Sequence, residues 1–186
     1  MPSSITIIGD DAFYQCTSLI QIVIPSSVTS IGQGAFYKCT SLEKITIPSS
    51  VIEIGYSAFN SCSSLRIIAI PPFLKFIEGS TFRNCASLSQ ITIPSSVTLI
   101  GKYAFSECSS LERVKFPSSV TSIEENAFNQ CSSIERIEIP SSQISIGDLA
   151  FKDCFALKEV IVSQVAKYRR CAFPSRIKII KKRFNL

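Results

Sequence analysis

A cysteine recurs every 23 residues from Cys16 to Cys154, at Cys16, Cys39, Cys62, Cys85, Cys108, Cys131 and Cys154. Three residues before each stands a phenylalanine (Phe13 to Phe151), and five residues before that an isoleucine (Ile8 to Ile146), with no exception. The complete unit reads P-S-S-V-T-x-I-G-x-x-A-F-x-x-C-x-S-L-x-x-I-x-I. Seven copies run 2–24, 25–47, 48–70, 71–93, 94–116, 117–139 and 140–162, without insertion or deletion. A fixed period of this length is the signature of a stacked array. One unit cannot bury its own apolar face, so consecutive units must share a continuous core and each touches only its neighbours. The repeat therefore restricts the chain to a solenoid before any single element is assigned.

Within the unit, S-L-x-x-I-x-I, such as Ser41 to Ile47, alternates apolar and variable residues, which predicts a strand with one face inward. Pro48 ends it, because proline cannot donate to a ladder. The Ser-Ser pair predicts a turn whose hydroxyls bond backbone groups. Val51-Ile52-Glu53-Ile54 predicts a second, shorter extended piece. Gly55 then lets the chain turn, and Ser57 to Cys62 is expected to form one or two helical turns leading to the next strand.

The cysteines do not read as a disulfide scaffold, since such frameworks are short and irregularly spaced. Stacked coils would set equivalent Cα atoms about 5 Å apart, within reach of a bridge. Seven rungs, however, leave one unpaired, and identical side chains in register point the same way. Buried free thiols acting as small hydrophobes are the expectation. Zinc needs clustered Cys and His ligands, and the chain has no histidine, so no metal is expected. No P-loop or dinucleotide fingerprint is present either, and no cofactor is expected.

The repeat resembles the BspA-like class of leucine-rich repeats, whose units carry the same L-x-x-I-x-I-P, I-G-x-x-A-F and C-x-S-L segments. The resemblance covers residues 2–162. It implies a repeat solenoid of the leucine-rich-repeat kind: a right-handed α/β superhelix with a parallel β-sheet on its concave face and short helical turns in each coil. It also implies a cell-surface or extracellular adhesion protein, whose partner does not carry over from one member to the next.

Charge divides the 186 residues unevenly. Residues 1–162 carry a net −3, and residues 163–186 carry +8 from Lys167, Arg169, Arg170, Arg176, Lys178, Lys181, Lys182 and Arg183, with no acid. From Ser163 the template fails: Cys171 is out of register and Ala172-Phe173-Pro174 only loosely imitates A-F-x-x-C. This segment is expected to be a degenerate last repeat and basic cap, with Ile177 to Ile180 adding a final strand and Lys181, Lys182 and Arg183 left outside. The rival is contact with an anionic surface. No apolar run reaches the ~18 residues of a membrane span, and no signal peptide opens the chain. Pro2 begins a unit with no cap before it, so the chain reads as a piece of a longer array.

Catalysis is not expected. Without histidine the usual Ser-His and Cys-His nucleophile pairs cannot form, and core thiols are inert. The adjacent carboxylates Asp10/Asp11 and Glu124/Glu125 read as solvated turn residues. Recognition falls instead to the variable outward strand positions: Gln21/Val23, Lys44/Thr46, Ile67/Ala69, Gln90/Thr92, Arg113/Lys115, Arg136/Glu138 and Glu159/Ile161. A protein or glycan partner is expected on the central ones, from Lys44 to Glu138. Glu112 and Glu135 beside the basic residues argue against a nucleic-acid groove. In the fourth unit, Phe73 replaces a turn serine and Phe76 takes an outward position, forming a possible apolar patch with Ile52 and Leu99. The alternative to recognition is a structural spacer, or an array that self-associates through its ends.

Overall fold

The computed structural model describes residues 2–184, in which the chain winds through eight stacked coils with two short strands in most of them. Met1, and Asn185 and Leu186 at the end of the basic segment, lie outside the described residues. Numbered along the chain, the strands of the V-T-x-I segment are β1 (Ile7–Ile8), β3 (Ser30–Ile31), β5 (Glu53–Ile54), β6 (Phe76–Ile77), β8 (Leu99–Ile100), β10 (Ser122–Ile123), β12 (Ser145–Ile146) and β14 (Lys167–Tyr168). Those of the I-x-I segment are β2 (Gln21–Val23), β4 (Lys44–Thr46), β7 (Gln90–Thr92), β9 (Arg113–Lys115), β11 (Arg136–Glu138), β13 (Glu159–Ser163) and β15 (Lys178–Lys182). Every pairing is parallel, and equivalent residues of neighbouring coils face one another, as Ile31 faces Ile54 and Ile45 faces Ile22. The third coil contributes only a bridge, Ile67 to Lys44.

The invariant columns form the core. Phe36, Phe59, Phe82, Phe105, Phe128 and Phe151 are fully buried. Together with Phe13 and Phe173 they stack in one file, with ring centroids 5.0–5.6 Å apart and nearly parallel planes. Phe173 thus carries the file into the eighth coil, and the Ala172 carbonyl accepts from the Phe151 N–H at 2.7 Å. That coil is shorter, so Lys167 faces Ser145 and Lys178 faces Glu159. Its last strand runs through Lys181 and Lys182, which the sequence placed outside it.

The A-F-x-x-C segment is not helical. Each of the first seven coils places two residues in the left-handed region, four apart, such as Gly34 and Lys38 (φ 59° and 57°) or Asn126 and Gln130 (φ 56° and 61°). A right-handed helix cannot continue through such positions. The segment is instead a run of turns in which alternate N–H groups point different ways. Tyr37 and Cys39 donate back to the carbonyls of Gly34 and Phe36, while Gly34, Phe36 and Lys38 donate forward to Tyr56, Ala58 and Asn60. A helix would have used every donor within itself and left none to hold the next coil. The only helical element among the described residues is a single 3-10 turn, Arg170–Ala172.

Cys39 to Cys154 are fully buried, and each thiol donates to the carbonyl of the phenylalanine in the preceding coil, as Cys108 does to Phe82 at 3.1 Å. Burial pushes the Cys108 and Cys154 thiols up to about 12. Cys16, at the edge of the described coils, is exposed, contrary to the expectation for its column. All eight cysteines are free.

Candidate functional site

The strand positions expected to be outward are outward in coils 1 to 6. Lys44, Thr46, Ala69, Gln90, Thr92, Arg113, Lys115, Arg136 and Glu138 are exposed, as are Gln21, Val23 and Ile67. In coil 7 the expectation fails: Glu159 is half-buried and Ile161 is buried. Ile161 lies in register between Glu138 and Ile180, and the Lys182 ammonium reaches the Glu138 carboxylate at 3.6 Å from the far side. The eighth coil closes over this position, which the degenerate tail sequence did not reveal.

These residues do not form one uninterrupted sheet. Register pairing joins β2 to β4, β7 to β9, and β11 to β13 and β15, and lapses between coils 3 and 4 and between coils 5 and 6. The second lapse has a local cause. The column Ile24, Ile47, Ile70, Ile93, Ile139 and Val162 holds a phenylalanine at one place, Phe116. Its ring packs edge-on against Phe128 of the next coil, with centroids 5.6 Å apart and planes at 69°. The larger side chain wedges the coils apart. The Glu135 N–H has no bond to Glu112, although Glu112 donates to Ser89 and Lys158 donates to Glu135 in the neighbouring coils. Val114 is half-buried where its column neighbours Ile91 and Ile137 are buried.

At this opening lies a groove of about 930 Å³, lined by Arg113, Lys115, Phe116, Arg136, Glu138, Glu112, Glu135 and the hydroxyl residues Ser132 and Ser133. Arg136 is held by Glu159 at 3.4 Å and Glu135 by Lys158 at 3.2 Å. Arg113 and Lys115 have no acidic partner within 4 Å among the described residues. They are the two cations of the groove left to meet something else. Phe116 was legible in the sequence as the single aromatic of its column, yet it was not singled out there.

The first lapse opens the other face. Ser27, Ser50, Ser96 and Ser119, the second serines of their units, donate their hydroxyls to Ile5, Val28, Leu74 and Val97 of the preceding coil at 2.6–2.8 Å. The Ser-Ser ladder therefore binds coil to coil rather than closing its own turn. Phe73 occupies this place in coil 4 and cannot make the bond. The Lys75 and Glu78 N–H groups likewise lack the partners that Ile52, Gly55, Thr98 and Gly101 find in theirs, and β5 is not paired with β6. Glu78 stands in the glycine column, but so does Glu124, whose N–H still reaches Ile100 at 2.9 Å. Coil 4 is set apart by Pro72-Phe73 in place of Ser-Ser. The missing hydroxyl bond alone does not open a junction, since the Ser142 hydroxyl makes no such bond in coil 7 among the described residues and β10 still pairs with β12. The Phe59–Phe82 spacing of 5.6 Å is the widest in the phenylalanine file.

This junction holds a second groove, of about 880 Å³, lined by Ile52, Tyr56, Phe73 and Phe76 together with Asp10, Glu53, Glu78 and Lys75. The predicted patch of Phe73, Phe76 and Ile52 is thus brought together. Leu99 pairs with Phe76 across β6 and β8 but does not line the groove. The sequence reading missed Tyr56, Glu53 and Glu78, which no motif marks.

The model of the BspA type leucine rich repeat region matches residues 1–108 and 75–184, in six copies. The chain belongs to the BspA-type leucine-rich-repeat family. A leucine rich cell surface protein from Faecalibacterium prausnitzii is 40% identical, with a TM-score of 0.77 over 84% of this chain and 42% of that one. A leucine rich repeat protein from T. pallidum is 34% identical, with a TM-score of 0.77 over 84% of this chain and 76% of that one. One from Bacteroides ovatus is 28% identical, with a TM-score of 0.74 over 97% of this chain and 54% of that one. The chain therefore spans less than two thirds of the length of the first and third of these relatives. Among curated proteins there is no match. Among the described residues, no helix is long and apolar enough to cross a membrane.

Proposed function

We propose that this BspA-type array is a non-enzymatic recognition module of a cell-surface protein, engaging a protein or glycan partner through the I-x-I strand face at coils 5 and 6. The observation that carries the reading is the groove at the Phe116 wedge, where Arg113 and Lys115 stand exposed without acidic partners. In coils 1 to 4 the face carries a single charge, Lys44, among neutral or apolar residues such as Thr46, Ile67 and Thr92, which supply contact area. Interfaces draw most of their affinity from a few such anchors, while the surrounding contacts exclude water.

The experiment is capture of partners on the immobilised chain from host-surface extracts, beside Arg113→Ala/Lys115→Ala. Loss of a captured partner with the double variant, and its retention with Lys44→Ala/Gln90→Ala, supports the reading. Equal capture by all three proteins contradicts it. The spacer alternative would show no saturable partner for any of them.

A further inference from the structure

We propose that the groove at the junction of coils 3 and 4 is a docking site for an extended peptide whose apolar side chains are flanked by lysine or arginine. This site lies on the V-T-x-I face and does not depend on the strand-face reading. Three observations converge on it.

First, the lapse of pairing leaves the Lys75 and Glu78 N–H groups, and the Ile52 and Ile54 carbonyls opposite them, without backbone partners among the described residues. At the flanking junctions these same positions hold a parallel neighbour, as Ile52 holds Thr29 and Gly101 holds Ile77 at 2.9 and 2.8 Å. A polypeptide in extended form offers the matching alternation of donors and acceptors, which is how exposed sheet edges take up peptide strands. A sugar does not.

Second, the groove has prebuilt apolar walls. Phe73, Ile52 and Phe76 are 63%, 53% and 49% exposed. The Tyr56 ring lies so close over Gly79 that a methyl group there would come within 2.9 Å of it. The Ser80 hydroxyl donates to the Tyr56 hydroxyl at 3.4 Å. That wall is fixed before any ligand arrives, so little ordering entropy is lost on binding.

Third, the rim is acidic. Glu53 and Glu78 make no ion pair among the described residues, the Asp10 carboxylate accepts the Gln33 N–H at 2.8 Å, and Lys75 is the sole cation of the lining. Basic flanks on the ligand complement this rim, and acidic ones are repelled.

The test is fluorescence anisotropy of the whole chain with a dye-labelled Lys-Ile-Thr-Phe-Lys-Val-Arg peptide and its counterpart with glutamate at each basic position. Saturable binding of the basic peptide alone is expected. It should weaken about tenfold or more in Phe73→Ser/Phe76→Ser. That variant restores the serines of other coils (Ser50, Ser30), so its fold is checked by an unchanged circular dichroism spectrum. Glu53→Gln/Glu78→Gln should remove most of the salt dependence. Arg113→Ala/Lys115→Ala should bind the peptide as the parent does, which keeps this result separate from the strand-face reading. The proposal is overturned by equal binding of both peptides, by binding indifferent to the double serine variant, or by no saturable binding. It is equally overturned if a neutral oligosaccharide such as cellohexaose occupies the groove in a Phe76-dependent way.

Discussion

Phe105 shares its two faces with Phe82 and Phe128, at 5.3 and 5.1 Å, and is fully buried. Its contacts lie in three coils at once, so truncation leaves a void that no single coil can collapse to fill. Phe105→Ala should lower stability to urea by about 3–5 kcal/mol, and an unfolding midpoint near the parent value would contradict that. The cysteines obey the same logic with an added pH dependence. Cys108 has a folded-state pKa raised from about 9 to about 12 by burial. The unfolded chain therefore gives up this proton first, and the stability it represents is fully present below pH 9 and drains away between 9 and 12. Between pH 8 and pH 10 the parent should lose about 1.4 kcal/mol more than Cys108→Ala. Equal losses would mean that the thiol is not shielded. The columns were legible because a position that repeats seven times unchanged must face its own copy. Cys16 and Ile161 escaped, since their surroundings depend on which coil lies beside them, and that is not a property of the unit.

At the level of the element, two strands per coil followed from the alternation of Ile45 and Ile47 with exposed neighbours, and from the V-T-x-I segment. The turn segment did not follow. Its left-handed residues include Gly34, Asn84 and Asn126, which suit that conformation, but also Tyr103 and Leu149, which hide the signal. The compensation is a forward backbone bond near each such position, a reward visible only once coils are stacked. The junctions are where single departures act. Phe73 removes the hydroxyl bond that Ser50 and Ser96 make. Phe73→Ser should bond the Val51 carbonyl and raise stability by about 1 kcal/mol, read as a higher melting temperature. A lower one would place the cause of the opening elsewhere. The apolar part of the groove was readable from Phe73, Phe76 and Ile52. Its acidic rim was not, because Glu53 stands in a freely varying column (Ile7, Ser30, Phe76, Leu99, Ser122, Ser145) and Glu78 in a glycine column that also holds Glu124, so neither reads as a signal.

Across the whole molecule, stability is a sum over adjacent coils, and the phenylalanine file and the turn ladder run through every described junction. The sheets do not. The two openings fall where the unit departs from its template, and the two grooves sit on different faces with different charge. The basic tail is partly engaged with the body, through Arg169–Asp148, Lys178–Glu159 and Lys182–Glu138 at 2.8, 3.5 and 3.6 Å. Such exposed pairs contribute little each, but they draw part of the +8 segment toward the coils it follows. Uniform columns thus set the shape, and the grooves lie at their exceptions. Residue-resolved amide hydrogen exchange tests this most directly. The Lys75 and Glu78 amides should exchange at least about tenfold faster than those of Thr98 and Gly101, their counterparts one coil on. Equal protection at the four positions would mean that the junction of coils 3 and 4 is closed and that its groove has no structural origin in the departure from the repeat.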